Sequence, residues 1–380
     1  MEASRHLFIV GAGFSFNAGL PLASNFTEAL LDPKAKLTPG YTSHTLNEVI
    51  RAFIDDAFGN GVAVPAIDWP ELEDVFTTID LAANTGHHLG PKYPASTLRT
   101  IRRSLIVRFM RMLRTAYDDG ARRKSAEWQL LQDLLGSVDL GSGAFLSLNW
   151  DTVIESGLAR LQRVTSIDYA CGALPAKIER SGIQVRRVAP SATMARILKP
   201  HGSINWMYCD CCSRMYWFAH EAIEKVASRL FKDSDKAVVK ALTGIEMRNA
   251  FTSSPCPECK AEALGTRFAT FSYRKALEFP MHIATWREAE RQLREAEDWI
   301  FIGYSLPPAD YEFKFLLKRV QLSRTKPPRI TLVTSGGPAS PTAKAYRKFF
   351  GASAIRDSDM FVNGLNLASL DHLRKVRALT

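Results

Sequence analysis

The sequence predicts an α/β protein: a Rossmann-like parallel sheet with helices on both faces, joined to a smaller helical, cysteine-bearing module. Apolar runs of strand length recur along the 380 residues, and each ends in small or polar residues, as parallel strands do where they deliver a loop to the sheet's carboxyl edge. Helical patterns fill the intervals between them. At 46% hydrophobic and with no low-complexity tract, the chain can bury one large core or two modest ones. Strands alternating with helices give an open sheet whose ligands sit outside the carboxyl ends of the strands.

The first strand, Leu7 to Val10, runs into Gly11, Ala12 and Gly13, where a bare backbone can turn tightly and let a pyrophosphate approach. The dinucleotide-binding fingerprint then requires a third glycine at 16, and that position is Phe16. Ala18-Gly19 comes late for the motif, and Leu20-Pro21 interrupts the first helix. From about 40 to 140 the pattern is helical, with one long stretch from Ser96 to Leu135, and reads as an insertion outside the sheet. AFLSLNW (144 to 150) is the next strand and delivers Asn149 and Asp151. ARILKPHG (195 to 202) delivers His201. A second insertion, about 206 to 270, carries most of the cysteines. After the helix TWREAERQLREAE (285 to 297), WIFIGYS (299 to 305) delivers Gly303 and Ser305. RITLVTS (329 to 335) delivers Thr334 and Ser335 before the helix PTAKAYRKFF (341 to 350). The reading is one domain over 1–380 with two insertions, in which the loops at Gly11, Asn149, His201, Gly303 and Thr334 converge.

Six cysteines occur, and Cys171 stands alone. Cys209, Cys211 and Cys212 form CDCC, and Cys256 and Cys259 form CPEC. Two CxxC turns supply four sulfurs, the complement of a closed tetrahedral zinc site, so Cys209, Cys212, Cys256 and Cys259 are expected to hold structural zinc, and Cys211 to be a bystander or a competitor of a neighbour for the metal. The net charge of +10 suits an anionic partner, but Arg102-Arg103, Arg122-Arg123-Lys124 and Arg186-Arg187 are short groups that solvated faces also explain. Direct nucleic-acid contact stays open. No apolar run approaches the roughly 20 residues of a membrane-spanning helix, and the N-terminus lacks the plan of a signal peptide, so no membrane partner and a cytoplasmic address are expected.

The order of these motifs carries more than any one of them. GAGxSxxAGLP (Gly11 to Pro21), N-x-D (Asn149, Asp151), HGS (His201 to Ser203), a CxxC followed by a second one, and G-x-S-L (Gly303 to Leu306) together resemble the sirtuin family along nearly the whole chain. The resemblance implies that NAD binds to the altered glycine loop. Gly11, Ala12, Gly13 and Ser15 would contact phosphates at the positive end of the following helix, and Gly303 and Ser305 would hold the adenosine side. Thr334 and Ser335 would neighbour the adenine ribose, a place where small polar residues are also ordinary loop chemistry. The reaction implied is cleavage between nicotinamide and ribose through an oxocarbenium-like transition state. Asn149 would position water and ribose without carrying charge. His201 would be the general base, since an imidazole takes a proton at neutral pH. Asp151 is either a ribose or nicotinamide partner or the cap of the helix that follows.

The chain departs from protein-deacylating sirtuins in two places. Their AG-I-P-D-F-R lid is replaced by AGLPLASNF, with Leu22, Ala23 and Ser24 at the missing positions and Phe26 as the nearest aromatic. Their phenylalanine-glycine-glutamate strand has no counterpart in FATFSYRKALEFP (268 to 280). GYSLPPADYEFKFLL, ELEDVFTTIDL (71 to 81) and YRKFFG resemble instead the divergent prokaryotic sirtuin-like domains, including NAD-consuming effectors of antiphage defence. That resemblance implies hydrolysis of NAD to nicotinamide and ADP-ribose by a regulated homo-oligomer, with an ATPase or nucleic-acid-sensing protein as a partner. Asp310 of the GYSLPPAD segment would touch a ribose or cap the next helix, and Glu73 and Asp74 would sit at the pocket rim or on a solvated helix face. An NAD-dependent protein deacylase and a non-catalytic NAD-sensing module are the competing readings.

Overall fold

The computed structural model describes residues 5–32, 41–247, 254–262, 264–266 and 280–380. The segment 268 to 279, which lacks the phenylalanine-glycine-glutamate motif of a peptide-pairing strand, lies outside them. Among the described residues twelve strands are formed: β1 (His6–Val10), β2 (Gly143–Ser147), β3 (Ser166–Asp168), β4 (Leu174–Glu179), β5 (Gly182–Val185), β6 (Met194–Leu198), β7 (Trp206–Cys209), β8 (Met215–Phe218), β9 (Leu264–Gly265), β10 (Asp298–Ile302), β11 (Arg329–Val333) and β12 (Met360–Phe361).

Seven of them make the main sheet in the order β12-β11-β10-β1-β2-β6-β3, and every pairing in it is parallel. All residues of β1, β2 and β10 are buried, which is why these segments read as continuous apolar runs. The two-residue period of a strand splits β1 between two cores. Phe8 and Val10 pack with Leu105, Phe109, Leu131 and Leu370 on one face. Leu7 and Ile9 pack with Leu293, Phe313, Leu317 and Tyr346 on the other. Helices thus cover both faces, and from β1 the chain winds first through β2 and later returns to β10 on the opposite side. The gap between the β1 and β10 loops is the topological switch point, where open α/β sheets bind ligands.

The predicted long helix is two. Ala95–Arg123 ends where Lys124 turns left-handed (φ 51°), and Ser125 starts Ala126–Ser137 by accepting the Trp128 N–H at 3.2 Å. Among the described residues, no helix is long and apolar enough to cross a membrane. The second sheet has five strands in the order β5-β4-β8-β7-β9, and it draws β4 and β5 from the chain before β6 as well as strands from the cysteine-bearing segment. Its aromatic residues Trp206, Tyr208, Tyr216 and Phe218 join the first of the two cores.

Candidate active site

The glycine loop is shaped by its neighbours on the sheet edge. After β1, the chain forms one short helical turn, Ala12–Phe16, and the Gly13 N–H donates to the Gly303 carbonyl at 2.8 Å. A methyl group on Gly11 would stand 2.7 Å from the Tyr304 Cα, and one on Gly13 would stand 2.8 Å from the Gly303 Cα. The glycines therefore let the β1 and β10 loops touch backbone to backbone. The Gly13 N–H is taken up by the Gly303 carbonyl in this contact.

Asn149 follows β2 and reaches back to this turn. Its Nδ2 donates to the Gly11 carbonyl (2.8 Å) and to Ser15 Oγ (2.8 Å). The Gly11 carbonyl can only accept, so the amide nitrogen must face it, and Oδ1 is the acceptor that remains. Ser15 in turn donates to Asp151 Oδ2 at 2.7 Å, while Asp151 Oδ1 accepts the Val153 N–H at 3.0 Å. Asp151 thus bonds the start of the helix Val153–Arg160, as a cap would, and also clamps the glycine turn. Burial pushes its carboxyl pKa up, against the pull of the Lys199 ammonium and of the Val153 and Ser15 hydrogen bonds.

Sequence reasoning missed Lys199, which is fully buried two residues before His201. Its Nζ donates to the Asp151 carbonyl and pairs with Glu155 Oε1 at 3.2 Å. Tyr169 donates to the same Glu155 oxygen (3.0 Å), and Asn205 donates to Tyr169 (3.2 Å) and to the Phe218 carbonyl (2.7 Å). A polar chain therefore runs from the Asn149–Asp151 loop into the second sheet. The signal was a lysine closing an apolar strand, ARILK, where a solvated end is the usual reading. A further link is Thr152, whose hydroxyl lies 2.9 Å from His220 Nδ1, with His220 Nε2 3.0 Å from Asp118 on the long helix.

His201 is held by Leu148, the residue before Asn149. Its Nδ1 lies 3.1 Å from the Leu148 carbonyl, an obligate acceptor, so Nδ1 carries the proton of the neutral ring and Nε2 the lone pair. The rings of Trp150 and Trp286 stand 6.2 and 6.4 Å away. Asp310 Oδ1 lies 3.8 Å from Nε2. Asp310 occupies the cap position of the helix Tyr311–Ser323 but makes no side-chain cap bond.

The remaining expected residues are more dispersed. Ser305 and Ser335 are exposed beside the cluster's loops. Thr334 is buried, and its N–H and carbonyl are bound to Phe361 (2.8 Å) and Gly364 (2.6 Å), which turns its backbone toward β12. Ala12 is half-buried in the first turn. Phe26 is buried edge-on against Phe109 (5.4 Å), so it belongs to the core and forms no lid. Glu73 and Asp74 sit in the first turn of Leu72–Thr85, where the helix dipole favours acids.

The cysteines form a separate centre. The sulfurs of Cys209, Cys212, Cys256 and Cys259 all lie within 4.8 Å of one another, with 3.6 Å between Cys209 and Cys259 and 3.7 Å between Cys212 and Cys256. Sulfurs placed tetrahedrally at about 2.3 Å from zinc are about 3.8 Å apart, so the set fits the ion. Each turn closes alike: the Ser213 N–H donates to the Cys209 carbonyl (2.9 Å) and the Lys260 N–H to that of Cys256 (3.0 Å), with Ser213 and Lys260 both left-handed (φ 58° and 62°). Four thiolates leave no open coordination position, which makes the site structural. Cys211 is exposed and outside the cluster.

No family model matches the chain, and no curated protein does. Among solved structures it is similar to a Sir2 variant with a deacetylated p53 peptide and an acetylated ADP-ribose (12% identity, TM-score 0.39, covering 100% of this chain and 96% of that one). It is also similar to a Sir2–p53 peptide–NAD+ complex (13%, TM-score 0.34, covering 99% and 92%) and to a Sir2 homologue mutant with ADP-ribose (12%, TM-score 0.36, covering 99% and 95%). At these scores the similarity decides nothing about the chemistry of this chain.

Proposed function

We propose that the protein is an NAD glycohydrolase that releases nicotinamide and ADP-ribose. One observation supports this most: both amide hydrogens of Asn149 are committed to the glycine turn, so its Oδ1 is an acceptor at the switch point, one residue from the carbonyl that fixes His201. Oδ1 can hold a water or a ribose hydroxyl without adding charge. In the reaction the bond between the anomeric carbon and the nicotinamide nitrogen breaks, and its electron pair leaves with nicotinamide. Water oxygen bonds to that carbon, and the proton it loses passes to His201 Nε2. The ordered sirtuin-like motifs favour this substrate, and the replaced AGLPLASNF lid favours water over an acylated peptide as the acceptor. In the same reading the enzyme is a regulated, oligomeric effector of antiphage defence with a sensing partner.

The test is nicotinamide release by purified protein with and without an acetylated peptide. Release that needs no peptide is expected, and Asn149→Ala and His201→Ala should each reduce it by about 100-fold, the scale of general acid–base catalysis. Release only with peptide would make the protein a deacylase, binding without release would make it a sensor, and mutants as fast as wild type would remove the mechanism.

A further inference from the structure

His201 has a partner on the far side of the ring from Leu148. Asp310 Oδ1 stands 3.8 Å from Nε2, and the His201 and Asp310 side chains are 3% and 7% exposed. The carboxylate is itself oriented, because Tyr304 donates to Asp310 Oδ2 at 3.0 Å and Tyr346 donates to the Tyr304 carbonyl at 2.9 Å. Burial, and then the charge of Asp310, raise the Tyr304 phenol well above its ordinary range, so it stays a donor. An aspartate opening a helix ordinarily caps it, and Asp310 makes no such bond.

We propose that Asp310 is a positioning residue that, together with Leu148, fixes His201 and stabilises the imidazolium formed at Nε2. This rests on the reading of His201 as the base. During turnover the water proton moves to Nε2, Asp310 remains an anion, and the resulting ion pair holds the proton until it passes to solvent. The arrangement differs from a Ser-His-Asp triad, in which the carboxylate binds the nitrogen away from the reacting group. Asp151 and Glu155 are tied to Lys199, and Glu288, on the helix of Trp286, to Arg196 and Arg291.

The experiment titrates the His201 imidazole by NMR in ligand-free wild type, Asp310→Asn and Asp310→Glu, and measures NAD hydrolysis by the same proteins from pH 5 to 9. An opposite charge at this range raises a histidine pKa by roughly 1 unit or more, so Asp310→Asn should lower the His201 midpoint by about that much, and Asp310→Glu should restore part of it. A base works only when unprotonated, so activity falls as pH drops through its pKa. Asp310→Asn should therefore shift the acid limb to lower pH, with kcat down about 10-fold and KM within about 2-fold. An unmoved His201 midpoint in a folded Asp310→Asn protein overturns the proposal. A midpoint that moves while wild type releases no nicotinamide leaves the pair standing and overturns the hydrolase reading instead.

Discussion

At Gly303 two demands meet in one residue. Its φ is +63°, and a methyl group there would stand 2.2 Å from the Phe14 amide nitrogen and 2.3 Å from the Gly13 carbonyl carbon. Gly337 has a similar φ of +81° but open space around the added methyl. Gly337→Ala should cost only the left-handed penalty of about 1–2 kcal/mol, whereas Gly303→Ala adds backbone collision and should cost clearly more. Urea midpoints of the two variants check this, and equal losses would remove the loop contact from the account. The residues of the candidate site divide the same way between legible and hidden. Gly11, Gly13, Asn149 and His201 stand at strand ends, where position alone marks them. Lys199 and Glu155 were hidden because a charged residue is read as solvated unless its partner is known, and each has its partner more than forty positions away. Asp310 was visible, but the choice between cap and site depends on a tyrosine hydroxyl whose direction the sequence does not specify.

Elements long enough to show a period were legible, and short ones were not. The strands containing Leu7, Ala144, Ala195, Trp299 and Arg329 were found from their apolar runs. β3, β9 and β12, of two or three residues, offer no period to read. β7 and β8, WMYC and MYWF, are buried throughout and show no alternation. The cysteine turns were legible because their spacing is chemistry and not periodicity. Zinc held by four thiolates contributes on the order of 10 kcal/mol, comparable to a domain's whole stability. Cys209→Ser, Cys212→Ser, Cys256→Ser and Cys259→Ser should each lose the metal and most soluble protein, while Cys211→Ser keeps one zinc per chain by elemental analysis. A well-folded wild type free of zinc would dispose of the site.

Across the whole molecule, one core runs from the main sheet through the helical region into the second sheet, since Phe8, Phe109 and Phe218 belong to the same packed cluster. The polar chain from Asp151 through Lys199, Glu155, Tyr169 and Asn205 to Phe218 spans the same boundary. Units joined by continuous packing unfold together. Calorimetry should therefore show one transition, and a chelator should move it down as a unit. A second sheet that melts separately, leaving the main transition in place, would show that the two are only adjacent.

The backbone contact between Gly13 and Gly303 bears finally on kinetics. Both loops are fixed by folding, through N–H···O and Cα packing, so under the proposed function neither has to be ordered when NAD arrives. Conformational entropy already surrendered in the empty protein does not subtract from affinity. Encounter should then proceed near the rate set by diffusion and charge, and residence time becomes the quantity that substitutions in these loops control.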